Sequence, residues 1–537
     1  MITPNKLVFM SFNTGMIKCY LQWPPQQKDE DNVVKLLKSF LVCLFLILGM
    51  PSIATGAPLS QPTPPIFFVK ETLTGSADCT SWDDACGLQA ALDKAIPGDE
   101  IWVAAGTYLP TKPISSTFPK NSPTFNLETG VAIYGGFPAE GGEWRDRDPA
   151  FHLTTLSGEL GLASDDTDNS FHVVTASGVD ATAILDGFTI SGGRASGSVG
   201  GGGMYNRGGS SPTLTKLIFS GNFAGIGGGG GIFNEGGSPR LTDVTFTNNF
   251  GYFGGGMFNT SGSPILNNVS FIGNETDMYG GGMINVSSHP KLTNVTFSAN
   301  MATRYGGGGM ANFSGSNPEL TNVTFTGNQA SIGFLGGAIL NVRAGHTMTS
   351  TIVWGNTPVV NQIYNYDETA FAFASYSIIE GGYAGETNIS SDPLLSPLAD
   401  NGGLTHTHAL GAGSPAIDNG NPVNCPATDQ RGFLRSIDGD GDGTAVCDMG
   451  AYEVGNTLAV DVLGHGIVAI IPEKSDYQPG ETVTIDASAE PDWAFNGWSG
   501  DATGATNPLT ITISGHTSIT ANFKQIHFRY MLFPIYK

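Results

Sequence analysis

A two-part phrase recurs six times between residues 198 and 356, and a recurrence of that length constrains the architecture more tightly than any other feature of the chain. The first part reads GGGMYN, GGGIFN, GGGMFN, GGGMIN, GGGMAN and GGAILN, ending at Asn206, Asn234, Asn259, Asn285, Asn312 and Asn341. The second part, typified by NPELTNVTFTGN, ends at Asn222, Asn249, Asn274, Asn300, Asn328 and Asn356. Within a unit, Leu320, Val323 and Phe325 alternate with Thr and Asn, the two-residue period of a strand. About 27 residues hold three short strands separated by Gly, Pro and Asn turns, and so small a unit cannot bury its own apolar face. Successive units must therefore stack. Met204, Ile232, Met257, Met283, Met310 and Ile339 then form one buried column, and Phe219, Phe246, Phe271, Phe297 and Phe325 another. The expected fold class is all-β, a right-handed parallel β-helix with coils about 4.8 Å apart.

An Asn at the same point of every coil is placed to form a ladder of side-chain amides, a structural role for Asn206, Asn234, Asn259, Asn285, Asn312 and Asn341. Glycine runs fit turns that need positive φ and close backbone approach. The 75 glycines have no three-residue period, which excludes collagen. Upstream, Phe67–Val69 and Glu100–Ala104 read as strands, with an amphipathic helix over Ser81–Ile96 covering the open end of the stack. About twelve coils are expected over 67–391.

Residues 35–57, KLLKSFLVCLFLILGMPSIATGA, have the basic start, short apolar run and small-residue exit of a signal peptide, too short to span a bilayer comfortably. Residues 1–34 do not belong to an ordinary leader and point to a start codon placed too far upstream. A Pro-rich linker (58–66) follows, and the mature chain has no other apolar stretch long enough to cross a membrane. An exported, secreted or cell-surface bacterial protein is expected. Its cysteines, Cys79, Cys86, Cys425 and Cys447, allow three pairings. Locality and export favour Cys79–Cys86 and Cys425–Cys447; zinc is the competing reading. The net charge of −23, from 24 Lys and Arg against 47 Asp and Glu, makes nucleic acid an unfavourable partner.

The GGGM or GGAI tracts followed by FxxN resemble the repeats of polymorphic outer membrane proteins, which implies a β-helical surface protein or adhesin. No transporter barrel is legible after them. Residues 392–455, with DPLLSPLADNGGLTHTHAL, GSPAIDNG, CPATDQRGF and CDMGAYE, resemble the choice-of-anchor Q domain of secreted bacterial β-helix proteins; the resemblance implies no catalytic residue. Residues 456–524, with GHG, YQPGETV, WAFNGWSGD and ITANF, resemble the divergent internalin-type B-repeat, a small β module of bacterial surface proteins. Strands are expected there at Leu458–Val462, Ile467–Ile471, Thr482–Ala487 and Ser518–Phe523, with Trp493, Phe495 and Trp498 in its core. A tail at 525–537 is apolar and basic.

Three sets of residues stand out for function. Asp438, Asp440 and Asp442 alternate with glycine as in the first half of a calcium loop. The twelfth position is Met449, so Asp448 or Glu453 would have to complete the site; the alternative is a solvated acidic hairpin tip. Tyr205, Phe233 and Phe258 point outward by alternation and form a candidate binding strip for an extracellular polysaccharide or a cell-surface protein, or else an external stack bracing the coils. Ile284 and Ala311 end that strip. Catalytic residues are not legible. Glu235, Asp243, Glu275, Asp277 and Glu319 do not converge, and Arg207, Lys216, Arg240, Lys291, Arg304 and Arg343 share no register. Gly464–His465–Gly466 resembles a polygalacturonase motif but falls in the C-terminal module. His152, His172, His289 and His346 read as turn or surface groups. A non-enzymatic adhesive or glycan-binding scaffold is therefore expected, with a polysaccharide lyase or glycoside hydrolase, its cleft on the N-terminal coils, as the alternative.

Overall fold

The structure, a computed structural model, describes residues 65–113, 122–162, 165–331, 336–474 and 476–526. The expected leader and the tail from residue 527 onward lie outside them. Two successive units show how the repeat becomes a coil. Strands Met257–Thr260, Ile265–Ile272 and Glu275–Thr276 are followed by Met283–Val286, Lys291–Ser298 and Met301–Ala302. Each pairs in parallel with its counterpart one coil later, Met257 against Met283, Leu266 against Leu292, Phe271 against Phe297 and Glu275 against Met301. Three parallel sheets of 18, 9 and 6 strands result, which is a parallel β-helix. The long strands turn a corner where Asn268, Asn294 and Asn322 take φ of 55, 54 and 53°, a left-handed conformation that Asn tolerates better than most residues.

One outward row of the largest sheet can be followed through every coil: Phe68, Trp102, Tyr134, Asp186, Thr215, Thr242, Asn267, Thr293, Thr321, Thr349 and Ser375. The described solenoid thus has eleven coils rather than twelve. The same register corrects the expectation for the basic residues: Arg240 and Lys291 share an outward row two coils apart, through Ile265.

Both buried columns are continuous. Met204, Ile232, Met257, Met283, Met310 and Ile339 are fully buried. The five Phe rings stack nearly parallel, with centroids 5.0, 4.7, 4.7 and 4.5 Å apart. Burying each ring contributes about 1.5–3 kcal/mol. The glycines before the methionines are part of that packing. A Cβ on Gly256 would lie 2.6 Å from the Gly282 carbonyl and 2.8 Å from the Phe271 ring.

Two Asn ladders run inside the prism. Asn206 Nδ2 donates to Asn234 Oδ1 (2.7 Å), and the chain of amides continues through Asn259, Asn285 and Asn312 to Asn341 and on to Asn365. The second ladder uses the asparagines that end each repeat. Asn274 Oδ1 accepts from both the backbone N–H and the amide of Asn249, while its Nδ2 donates to Phe246 O and Asn300 Oδ1, both at 2.9 Å. Asn274 is completely buried. Asn274→Ala should therefore cost about 3 kcal/mol in chemical denaturation, because it strands the Asn249 amide and the Phe246 carbonyl. Thr293→Ala on the half-exposed face serves as the near-neutral control.

The N-terminal helix is shorter than expected, Leu88–Lys94. Residues before it are held in a different pairing: Phe68 N donates to Cys79 O, Lys70 N to Cys86 O, and Cys86 N to Phe68 O. A segment pinned residue by residue to a strand cannot also coil. Cys79 and Cys86 are disulfide-bonded, as are Cys425 and Cys447.

Residues 392–455 run over the outside of the largest sheet. Thr405 and His406 reach Asn268 and Ser270, His408 reaches Ser298, Gly450 donates to Ser350 O, and Asn421 donates to Ser350 Oγ. Beyond them lie two three-stranded sheets. The four expected strands are present as Leu458–Leu463, Gly466–Ile471, Thr482–Ala489 and Thr517–Gln525. Trp493–Gly500 and Leu509–Thr512 complete the sheets, and Trp498 packs in the core with Ile485, Ile519 and Phe523.

Candidate functional site

Charge is scarce in this chain, so charged side chains inside it mark where the fold invests in specific geometry. In the segment DQRGFLR, both arginines are buried. Arg435 Nη1 donates to Glu453 Oε2 (2.8 Å), and its Nη2 to Gly450 O (2.8 Å) and to Asn294 Oδ1 (3.1 Å) on the solenoid. Gln430 reaches the same face, donating to Ser270 Oγ (2.7 Å) and accepting from Thr296 Oγ1 (2.7 Å). Asn322 donates to the Asp448 and Gly450 carbonyls. Arg431 faces the other way. Its Nε donates to Asp429 (2.8 Å), its Nη1 to Asp476 of the C-terminal module (3.2 Å), and its guanidinium lies 3.7 Å over the Tyr452 ring. Asp429, Gln430, Arg431, Arg435, Asp448 and Glu453 thus form one polar clasp between solenoid and C-terminal module. Burial and the neighbouring Glu453 carboxylate hold Asp448 well above the usual carboxylate range.

The acidic loop lies beside this clasp. Carboxylate oxygens of Asp418, Asp438 and Asp440 lie within 4.8 Å of one another. Asp418 accepts from the backbone of Gly439, Asp440 and Val446, so it is fixed against the loop. Burial raises its pKa. Asp442 does not join the three; its carboxylate accepts from Thr444 N (2.7 Å). Asp448 and Glu453 are not in that group either, although they brace it: Asp448 Oδ1 accepts from Asp418 N (2.8 Å) and Glu453 Oε1 from Ile437 N (3.1 Å). His516 ties the loop to the C-terminal module through a 3.0 Å contact between Nε2 and the Asp438 carbonyl. Asp418 sits 20 residues upstream of the loop, and no spacing rule points to it.

The aromatic row is more enclosed than alternation suggests. Tyr205, Phe233 and Phe258 do form one register row, with ring centroids 5.6 and 5.0 Å apart. Yet Tyr205 is only 8% exposed, and its hydroxyl donates to the Glu235 carboxylate. The row continues through Ile284, Ala311 and Leu340, which are buried beneath Phe253, Tyr279 and Phe313. It forms a satellite core on the outside of the nine-stranded sheet. Two of the histidines also depart from expectation. His172 and His346 are interior, and burial depresses both to a pKa of about 4.

Lys291 and Glu319 pair with each other across adjacent coils at 2.8 Å. No described helix is long and apolar enough to cross a membrane.

Residues 456–527 match the divergent InlB B-repeat domain. No curated protein matches the chain. Among solved structures, similarity is found to pectate lyase Pel9A, at 14% identity and TM-score 0.45, covering 72% of this chain and 96% of that one. A rhamnogalacturonan lyase is similar at 13% identity and TM-score 0.37, covering 61% and 85%. The B-repeat match thus follows a parallel β-helix in this chain.

Proposed function

We propose that this protein is an exported bacterial scaffold, displayed at the cell surface or secreted, that binds glycans or partner proteins without catalysing their cleavage. The observation that carries this reading is the distribution of its polar groups. Those inside are spent on ladders and on the clasp, and those outside form rows of hydroxyls and amides interrupted by ion pairs such as Lys291–Glu319, in which acid and base hold each other. A hydrolytic or eliminating site needs a positioned acid or base beside the scissile bond. Residues 392–455 are read as a choice-of-anchor Q module and 198–356 as repeats of the polymorphic outer membrane type, both consistent with display outside the cell. The Cys79–Cys86 and Cys425–Cys447 bridges suit an oxidising compartment. Binding of the mature chain to a glycan array is the expected result. Reproducible release of reducing ends or unsaturated uronides from pectin, alginate or glycosaminoglycans would overturn the non-enzymatic reading.

Calcium is the proposed occupant of the acidic loop, held by Asp418, Asp438 and Asp440. Hard carboxylate oxygens converging at a glycine-rich turn suit a hard cation that takes six to eight oxygen ligands. Adding calcium should raise the melting temperature of the chelator-treated protein by a few degrees through mass action. Asp418→Ala should abolish that shift, and a melting temperature indifferent to both calcium and chelator would remove the metal.

A further inference from the structure

We propose that the outward face of the C-terminal coils carries a groove for an uncharged linear polysaccharide lying along the solenoid axis. This deepens the glycan-binding reading and rests on it. The groove encloses about 320 Å³ and spans three consecutive coils. Two files of side chains, in register, floor it: Glu319, Thr347 and Phe373 in one, Thr321, Thr349 and Ser375 in the other. The intervening Leu320, Met348 and Ala374 point inward, so the floor between the files is flat backbone. Asn424, an exposed residue of the overlying segment, closes one side.

The chemistry of these groups is that of a sugar site. Phe373 is 65% exposed, an unusual cost for a Phe, and its ring is propped by Phe371 at 5.3 Å. An exposed aromatic face stacks on the C–H face of a pyranose while adjacent polar groups bond its hydroxyls. Among the described residues, the hydroxyls of Thr321 and Thr347 have no hydrogen-bond partner, leaving donors and acceptors directed at whatever fills the groove. Thr349 is held at 3.4 Å by both Ser375 and Asn421. The files repeat once per coil, about 4.8 Å, a step comparable with one pyranose residue of an extended chain. A polysaccharide along the axis would therefore offer successive sugars to successive coils. Charge selects the class: Glu319 in the groove is offset by Lys291 at 2.8 Å, which leaves no local cation among the described residues free to attract a polyanion, and the net charge of −23 repels a polyuronate.

Affinity electrophoresis of the full mature chain in gels containing hydroxyethyl cellulose, xylan, galactomannan or polygalacturonate tests this. Retardation by at least one neutral polymer and none by polygalacturonate is expected. Phe373→Ala should weaken that retardation about tenfold, the scale of a lost stacking contact, without lowering the melting temperature. Thr347→Val should weaken it less. Undiminished retardation of Phe373→Ala would overturn the groove while leaving a glycan-binding protein. Retardation by polygalacturonate alone would overturn the ligand class. Failure of the wild type to bind any of these polymers would overturn the groove, while the glycan array separately decides the reading beneath it.

Discussion

Replacing Arg435 by Ala should destabilise the mature chain by about 3–5 kcal/mol, the cost of removing one partner of a buried ion pair. The guanidinium is completely buried and supplies hydrogen bonds to Glu453, Gly450 and Asn294. Its loss leaves the Glu453 carboxylate beside Asp448 with only backbone N–H donors, so two acidic groups share a dry site. Arg435→Lys should recover only part of the loss, because an ammonium cannot reach the carboxylate, the carbonyl and the amide at once. Urea denaturation of the full chain measures the change. Limited proteolysis localises it: residues 392–455 should become cleavable before the regular coils do. A variant as stable as the wild type would show that the clasp is incidental to the fold.

Acidification should destabilise the protein by up to about 3 kcal/mol for each of the two interior histidines. The sign follows from their protonation. His172 and His346 have pKa values lowered to about 4 in the folded chain, against an ordinary value near 6.5 in the unfolded one. Their contribution is complete above pH 6.5 and is lost as pH falls from there through about 4. Both environments explain the shift. His346 is completely buried, with Nδ1 3.1 Å from the Asn341 amide of the ladder, and His172 Nδ1 lies 2.7 Å from the Gly201 carbonyl. Asp448 acts in the opposite sense. Its raised pKa makes its contribution greatest in acid and diminishing as pH rises through the elevated value. The difference in urea midpoint between wild type and His346→Gln, followed from pH 7.5 to 4, isolates the histidine. Parallel profiles for the two proteins would refute its role.

The array was legible in the sequence because stacking makes one physical requirement recur. Each of the first five regular coils has a Met or Ile at one corner, a Phe at the next, and glycine where the Phe ring leaves no room for a Cβ; in the sixth, Val353 replaces the Phe and Ala338 the glycine together. The second Asn ladder was equally visible in spacing, but its meaning depends on geometry: Asn274 caps a turn and bridges to its neighbours at once. What the sequence concealed is non-periodic. Alternation correctly turns Tyr205 and Ile284 away from the interior, but it cannot report that Tyr279 and Phe313 fold over that face. Arg431, Arg435 and Asp418 likewise acquire Asp476, Glu453, Asn294 and Gly439 as partners at separations of 18 to 141 residues that no local pattern encodes. Two arginines within DQRGFLR, in a chain with few charges, were the available hint.

The course of residues 392–455 has a mechanical consequence. A solenoid touches only its nearest neighbours, so heat or tension should peel it one coil at a time from an end. Here a transverse brace crosses the coils containing Ser270, Thr296, Thr324 and Ser350 and is anchored in each. Those four coils must yield together, whereas the coils before Thr260 lack any such tie among the described residues. Load applied to the B-repeat module enters the braced block first, through Arg431 and Asp476, so the coils nearest that module are also the ones that resist unravelling.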